Sequence, residues 1–139
     1  MKLFNITKVG FRAAFFALVI LATSCATQSV VVIPEDLSAA EMVQRAQEAS
    51  DRNRYSISLQ YYEAILERFP NDAEYTSAAQ YEIAFIYYKQ KKYDQSKAAF
   101  NALLDRYNSP EGPLLPPQYR ILAIKVLETI AERETGRRN

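Results

Sequence analysis

The chain has 139 residues, of which 17 are basic and 16 acidic, with a formal net charge of +1. Three of the basic residues and none of the acidic ones lie in residues 1–24, so the remainder is slightly acidic and lacks the basic face of a nucleic-acid-binding protein. There is no histidine, one cysteine and three glycines, which leaves no usual metal-ligand set, no internal disulfide and no glycine-rich phosphate loop. We therefore expect no metal, no cofactor and no nucleic acid.

Residues 1–24 have the composition of a signal peptide. Residues 1–12 are basic, and residues 13–22 (AAFFALVILA) form an uninterrupted apolar run. Ten apolar residues suit the hydrophobic region of a signal peptide and are too few to span a bilayer as a helix. The run ends in small residues that are followed at once by Cys25.

A cysteine in this position resembles the lipobox of bacterial lipoproteins, in which the thiol receives a diacylglycerol and the chain is cleaved before the cysteine. Leu21 lies four residues before Cys25 rather than the usual three, a relaxed form familiar in spirochaetes. The resemblance implies that Cys25 is acylated strongly enough for stable anchoring. Because residue 26 is Ala26 and not aspartate, it also implies the outer membrane of a diderm bacterium, at the periplasmic face. The alternative is an ordinary signal peptide with an incidental cysteine near its cleavage site.

Residues 25–37 are predicted to form a lipidated tether. The β-branched stretch at residues 30–33 is either an extended linker or a short strip that packs against the first helix, and Pro34 prevents helix formation there. Ser38 and Glu41 have the spacing of a capping box, which predicts a helix start at residue 38.

The rest of the chain, residues 38–139, is predicted to be one all-α domain of about five helices. Apolar periodicity, prolines and polar breaks place the helices at about residues 38–52, 56–69, 73–90, 94–107 and 117–133. The proline-rich connection at residues 108–117 cannot be helical throughout.

The second and fourth helices are related by an internal repeat. Residues 55–70 align without gaps on residues 93–108, an offset of 38 that also places Ala46 on Ala84. Repeated helical pairs of this length predict a stacked solenoid. The residues expected to pack within and between the helical pairs are Ala46, Ser58, Tyr62, Ala84, Tyr87, Tyr93, Ser96 and Phe100.

The pattern of these small and aromatic residues resembles tetratricopeptide repeats, although that family usually has a period of 34. The resemblance implies a short right-handed solenoid: two helical hairpins (about residues 38–72 and 73–110) and a capping helix (about residues 117–134). With the lipoprotein start and the tyrosine-rich second helices, the chain is similar to the outer-membrane β-barrel assembly lipoproteins of the BamD type, but shorter. It is also similar to the repeat domain of the Tol-Pal-associated periplasmic coordinator.

In tetratricopeptide arrays the first helices of successive repeats line a concave groove. By this resemblance the candidate partner-binding residues are Tyr81, Phe85, Tyr88, Lys89 and Tyr119. Exposed aromatic residues of this kind are typical binding hot spots. The alternative is that the fifth helix, with Tyr119 and Ala123, buries these aromatic residues in a small core.

Catalysis is not expected. Glu63 and Glu67 are spaced as a carboxylate pair, but this spacing is also that of a solvated helix face, and no histidine is present as a base. The lysines at 89, 91 and 92 suit the negative end of a helix dipole. We expect a membrane-anchored scaffold for protein partners in envelope biogenesis, such as a β-barrel assembly accessory. The alternatives are a surface-displayed lipoprotein with a ligand-binding or antigenic role, and a Tol-Pal-type coordinator.

Overall fold

The computed structural model describes residues 30–136, so the predicted signal peptide, Cys25 and the first part of the tether lie outside the described residues. The described residues form five α-helices, one short 3-10 helix and no strand, which confirms the predicted all-α class. The α-helices are α1 (Ala39–Asp51), α2 (Tyr55–Arg68), α3 (Ala73–Lys89), α4 (Tyr93–Tyr107) and α5 (Pro117–Gly136), and the 3-10 helix is Gly112–Leu114.

The helix starts follow from local capping chemistry. Ser38 is the N-cap of α1, where its hydroxyl accepts from the Glu41 amide at 3.3 Å and its own amide donates to the Glu41 carboxylate at 3.0 Å. The Asp72 carboxylate caps α3 by accepting from the Tyr75 amide at 3.0 Å. These bonds satisfy amides that have no partner inside the helix. The capping box predicted at Ser38 is therefore confirmed.

The helices pack in chain order as a short solenoid. Helix α1 packs on α2 and α3 packs on α4, which gives two helical hairpins, and α2–α3 and α4–α5 contacts stack these units on one another. The first helix of each hairpin also contacts its counterpart in the neighbouring unit, since α3 contacts both α1 and α5. As a result α3 lies at the centre of the array, with neighbours on both sides.

The two hairpins are closed by the same hydrogen bond. The Ser58 hydroxyl donates to the Ala46 carbonyl at 2.8 Å, and the Ser96 hydroxyl donates to the Ala84 carbonyl at 2.9 Å. All four residues are fully buried, at 0 % exposure. A hydroxyl reaches the backbone of the facing helix only where both side chains are small. The predicted 38-residue repeat is thus also a repeat of contacts.

The turns within the two hairpins also share one conformation. Asn53 and Lys91, which are 38 residues apart, are the two non-glycine residues with positive φ in the described part of the chain, at 57° and 61°. The next residues, Arg54 and Lys92, have φ/ψ of −84°/59° and −83°/65°. The turn is therefore a structural element of the repeat, built without glycine.

The connection to α5 is held by Tyr107 and Gly112. The Tyr107 hydroxyl donates to the Pro116 carbonyl at 2.5 Å, just before α5 begins. A Cβ atom at Gly112 would lie 2.1 Å from the Tyr107 carbonyl oxygen, so the 3-10 turn needs glycine at this position. Together these contacts direct α5 back onto α3 and α4.

The described end of the tether packs on the body instead of extending from it. The Val31 amide donates to the Gln60 side chain at 2.9 Å, and the Arg68 guanidinium donates to the carbonyls of Ile33 and Pro34 at 3.0 and 2.7 Å. Val31 and Ile33 also pack against the core of the first hairpin. Of the two predicted possibilities for this stretch, the short packed strip is the one that residues 31–34 adopt. Their polar contacts are made with α2, however, and not with the first helix as predicted.

Enlarging Ala84 tests the close approach of α3 and α4. We expect Ala84→Leu to lower the free energy of unfolding by about 1–3 kcal/mol, because the added atoms meet a packed helix. Urea unfolding followed by circular dichroism measures the change. Ala102→Leu is the matched control, since Ala102 is exposed on α4. An equal and small effect of both substitutions would contradict the close contact.

Candidate partner-binding face

Five aromatic rings follow one another along α3 and its neighbours; we call them the aromatic row. Tyr81, Phe85 and Tyr88 are spaced by four and three on α3, which places them on one face of the helix. The successive ring centroids of Tyr119, Tyr81, Phe85, Tyr88 and Tyr93 are 5.9, 5.8, 5.6 and 6.0 Å apart. These distances are typical of interacting aromatic pairs. The row runs from the start of α5 to the start of α4.

The two ends of the row differ in burial. Tyr81 is only 8 % exposed, because it packs against Tyr119 and against Phe100, whose ring centroid lies 5.6 Å away. Burial, and next the nearby Glu82 carboxylate, raise the pKa of Tyr81 to about 12. Phe85 and Tyr88 are half-buried and keep part of their surface in solvent. Helix α5 therefore buries the Tyr81 end of the row. The end with Phe85 and Tyr88, which we call the open end, stays partly exposed, although Arg133 of α5 lies over Tyr88.

Two cations lie over the open end. The Lys89 ammonium is 5.4 Å from the Phe85 ring centroid, and the Arg133 guanidinium is 5.3 Å from that of Tyr88. Lys89 also donates to the Ser50 hydroxyl at 2.9 Å, which links α3 to the end of α1. Cation–π contacts of this kind contribute about 0.5–1 kcal/mol at exposed sites. The face thus combines aromatic surface with fixed positive charge.

Beside the row, the hydrogen bond between Lys89 and Ser50 links α3 to α1. We call these two residues, together with Asp51, Tyr62 and Glu82, the α1–α3 seam, because the charges of Asp51, Glu82 and Lys89 act on the ionisable groups of this set. Tyr62 comes from α2, is 1 % exposed, and its hydroxyl has no hydrogen-bond partner among residues 30–136. Burial is the main cause that raises its pKa, followed by the negative charges of Glu82 and Asp51.

Glu82 is the second unpartnered group of the seam. It is half-buried, and within the described residues it makes neither a hydrogen bond nor an ion pair. Burial raises the pKa of its carboxyl group, Lys89 opposes this effect, and Asp51 adds to it. We did not predict Glu82 as a site residue. The signal that could have found it is one acidic residue within an otherwise apolar and aromatic run on α3.

The other residues predicted from the sequence fall into two groups. Of the repeat-packing residues, Tyr87 and Tyr93 are half-buried and the others are at most 1 % exposed: Ala46, Ser58, Tyr62, Ala84, Ser96 and Phe100. Glu63 and Glu67 are exposed on α2. Lys91 and Lys92, at the turn after α3, are also exposed. The structure brings the five candidate groove residues together, with Tyr119 at the covered end.

Two further observations concern the described part of the chain alone. Its acidic side chains do not gather in groups of three or more that could hold a metal ion. No helix within residues 30–136 is long and apolar enough to cross a membrane.

Comparison with known proteins finds a similar protein but assigns no family. The chain is 32 % identical over 92 residues to an uncharacterized protein of Treponema pallidum (strain Nichols). The match covers 66 % of this chain and 37 % of the relative, so the chain spans little more than a third of that protein's length. No protein-family model matches the chain, and no solved structure matches it.

Removing the Tyr62 hydroxyl tests whether it lacks a partner. We expect Tyr62→Phe to raise the free energy of unfolding by roughly 1 kcal/mol, because a buried polar group without a hydrogen bond is removed. Tyr107→Phe is the matched control and should lower stability by about 0.5–1.5 kcal/mol, since its hydroxyl donates to the Pro116 carbonyl. Chemical denaturation measures both. A loss of stability in Tyr62→Phe would mean that the hydroxyl is paired.

Proposed function

We propose that the protein is a lipid-anchored scaffold of the tetratricopeptide type that holds a protein partner in the envelope of a diderm bacterium. An accessory role in outer-membrane β-barrel assembly is the form of this proposal that the sequence resemblance favours. The observation that carries the proposal is the open end of the aromatic row. Phe85 and Tyr88 are half-buried, with a cation over each ring. Aromatic and cationic side chains of this kind dominate the energetics of protein interfaces.

The repeat contacts support the tetratricopeptide assignment. In both hairpins a serine hydroxyl bonds to the backbone of the facing helix at an alanine, and both hairpins turn through one left-handed residue. Solenoids built in this way present the first helices of their repeats as an extended binding surface. Helix α3, which carries most of the aromatic row, is such a helix.

The sequence before residue 30 supports the lipid anchor. Cys25 follows a hydrophobic run and small residues, an arrangement that resembles a lipobox. Because the Val31 backbone is bound to Gln60, only five residues, 26–30, lie between the acylated cysteine and the folded body. The six residue steps from Cys25 to Val31 reach at most about 20 Å, so the body would lie close to the bilayer.

Photo-crosslinking in cells tests the partner-binding face. A photoreactive residue at position 88 should capture an envelope protein, because Tyr88 lies at the open end of the row. The same residue at position 63, which is exposed on α2, is the matched control and should not capture it. Capture from neither position, or of lipids alone, would contradict the proposed scaffold. Protease treatment of intact cells then separates a periplasmic scaffold, which survives, from a surface-displayed ligand-binding lipoprotein.

Fatty-acid labelling tests the anchor. We expect Cys25→Ala to abolish incorporation of labelled palmitate and to release the protein from the membrane fraction, because no other thiol is present. Ser29→Ala, in the same tether, should keep both the label and the membrane association. Labelling that persists in Cys25→Ala would refute the lipoprotein assignment.

A further inference from the structure

We propose that the protein docks on anionic phospholipid headgroups with one end of its helical array, where α1 turns into α2 and α3 turns into α4. We call this the turn end, and the basic residues of its turns are Arg52, Arg54, Lys91 and Lys92. The inference rests on the proposed lipid anchor and deepens it, because it states which surface of the body meets the bilayer and which lipids that surface selects.

Two contacts between helices place the turns and the end of α5 together. The Lys89 ammonium donates to the Ser50 hydroxyl at 2.9 Å, which joins the end of α3 to the end of α1. The Lys97 ammonium of α4 donates to the Glu134 carboxylate at 2.8 Å, which brings the end of α5 beside the start of α4. The two turns therefore lie at the same end of the array.

The connections at the two ends of the array carry opposite charges. The turns, residues 52–54 (RNR) and 90–92 (QKK), contain four basic residues and no acidic one. The connections at the other end, residues 34–38, 69–72 and 108–116, contain four acidic residues and no basic one. All eight side chains are exposed. The described body is thus polarised, with its positive charge at the turn end.

Few counter-charges neutralise the turns. Arg52 has the Glu48 carboxylate at 3.9 Å, and Asp51 at the end of α1 offsets one further positive charge. Asp94 is engaged by Lys97 at 3.1 Å. The turn residues that form no ion pair within residues 30–136 are Arg54, Lys91 and Lys92. The surface that remains is positive.

Two of these cations occupy positions that helix chemistry disfavours. Arg54 and Lys92 are the N-cap residues of α2 and α4, and neither side chain makes a capping hydrogen bond. A cation at a helix N-terminus opposes the helix dipole, and short polar or acidic residues are favoured there. At the other end of the array, Ser38 and Asp72 cap α1 and α3 in the favoured way. Helix stability does not explain the basic N-caps, and such local conflicts are expected at functional sites.

The packed strip before α1 directs the anchor to the same end. Val31 bonds to Gln60 and Pro34 bonds to Arg68, the last residue of α2, so the strip runs parallel to α2. Followed back toward Cys25, it leads to the start of α2, at the turn end. Gln60 lies about 8 Å along the helix from that start. The residues from Val31 to Cys25 reach about 20 Å, so the acyl chains can enter a bilayer on which the turn end rests.

The chemistry of the turn end suits lipid phosphates. Basic side chains are attracted to an anionic leaflet, and the arginine guanidinium matches a phosphate in a bidentate manner. Screening limits this attraction to about 8 Å at physiological ionic strength, so it acts on the end that touches the surface and sets the orientation of the body. The open end of the aromatic row, at Tyr88, would then face the membrane surface, within reach of a membrane-embedded partner.

Fluorescence quenching in vesicles tests which end meets the bilayer. The acylated full-length protein carries a fluorophore on one introduced cysteine, Gln95→Cys beside the turn end or Glu111→Cys at the other end, and the quencher is attached to the lipid headgroup. In vesicles of equal parts phosphatidylcholine and phosphatidylglycerol, we expect several-fold stronger quenching at position 95 than at position 111. The difference should shrink in phosphatidylcholine vesicles and at high salt.

Removing the two basic N-caps tests the charges directly. Arg54→Gln/Lys92→Gln should lower the excess quenching at position 95 several-fold, and the matched control Arg120→Gln/Lys125→Gln, on the exposed surface of α5, should leave it unchanged. The first variant should melt at or above the wild-type temperature, because its cations oppose helix dipoles. Equal quenching of the wild type in the two kinds of vesicle, a comparison that needs no variant, would overturn the inference.

Flotation separates this inference from the proposed anchor. If both hold, the protein floats with vesicles of either composition, and quenching at position 95 depends on phosphatidylglycerol. Flotation with both but no preference for position 95 would keep the anchor and refute the docking end. Flotation only with phosphatidylglycerol vesicles, with quenching at position 95, would refute the acyl anchor and keep the docking end. Flotation with neither would refute both.

Discussion

The structure depends on the close approach of two helices within each hairpin. A serine hydroxyl can reach the facing backbone only because alanine lies opposite to it, at Ala46 for Ser58 and at Ala84 for Ser96. The bond satisfies a hydroxyl that is wholly buried, and without it the same serine would be a cost to the fold. This spacing sets the position of α3 between its neighbours. The aromatic row and the seam are consequences of where α3 lies.

The helices and their repeat were predictable because their signals are local. The capping box at Ser38, the prolines after α2 and α4 and the apolar periodicity need only a few neighbouring residues, and the observed helix bounds differ from the predicted ones by at most three residues. The offset of 38 needs only an alignment of the chain with itself. Each signal is present in the sequence before any tertiary contact forms.

The candidate site was predictable only in part, because its properties depend on distant contacts. The spacing on α3 indicated that Tyr81, Phe85 and Tyr88 share a face. Which of them is covered depends on α5, whose position is set by Gly112 and by the bond between Tyr107 and Pro116. Periodicity likewise identified Tyr62 as a packing residue. That its hydroxyl has no hydrogen-bond partner among the described residues, and that the charge of Glu82, 20 residues later in the chain, helps to raise its pKa, has no local signal.

The turns that close the hairpins make the two repeats unequal in local stability. A left-handed backbone conformation costs most residues about 1–2 kcal/mol, whereas asparagine adopts it more readily. The first hairpin has Asn53 at this position and the second has Lys91. The second repeat therefore carries a conformational cost that the first largely avoids, and this cost falls on the turn directly after the open end of the aromatic row. This cost favours local opening of the second turn over the first, and such an opening would change the spacing between α3 and α4 while leaving the first hairpin intact.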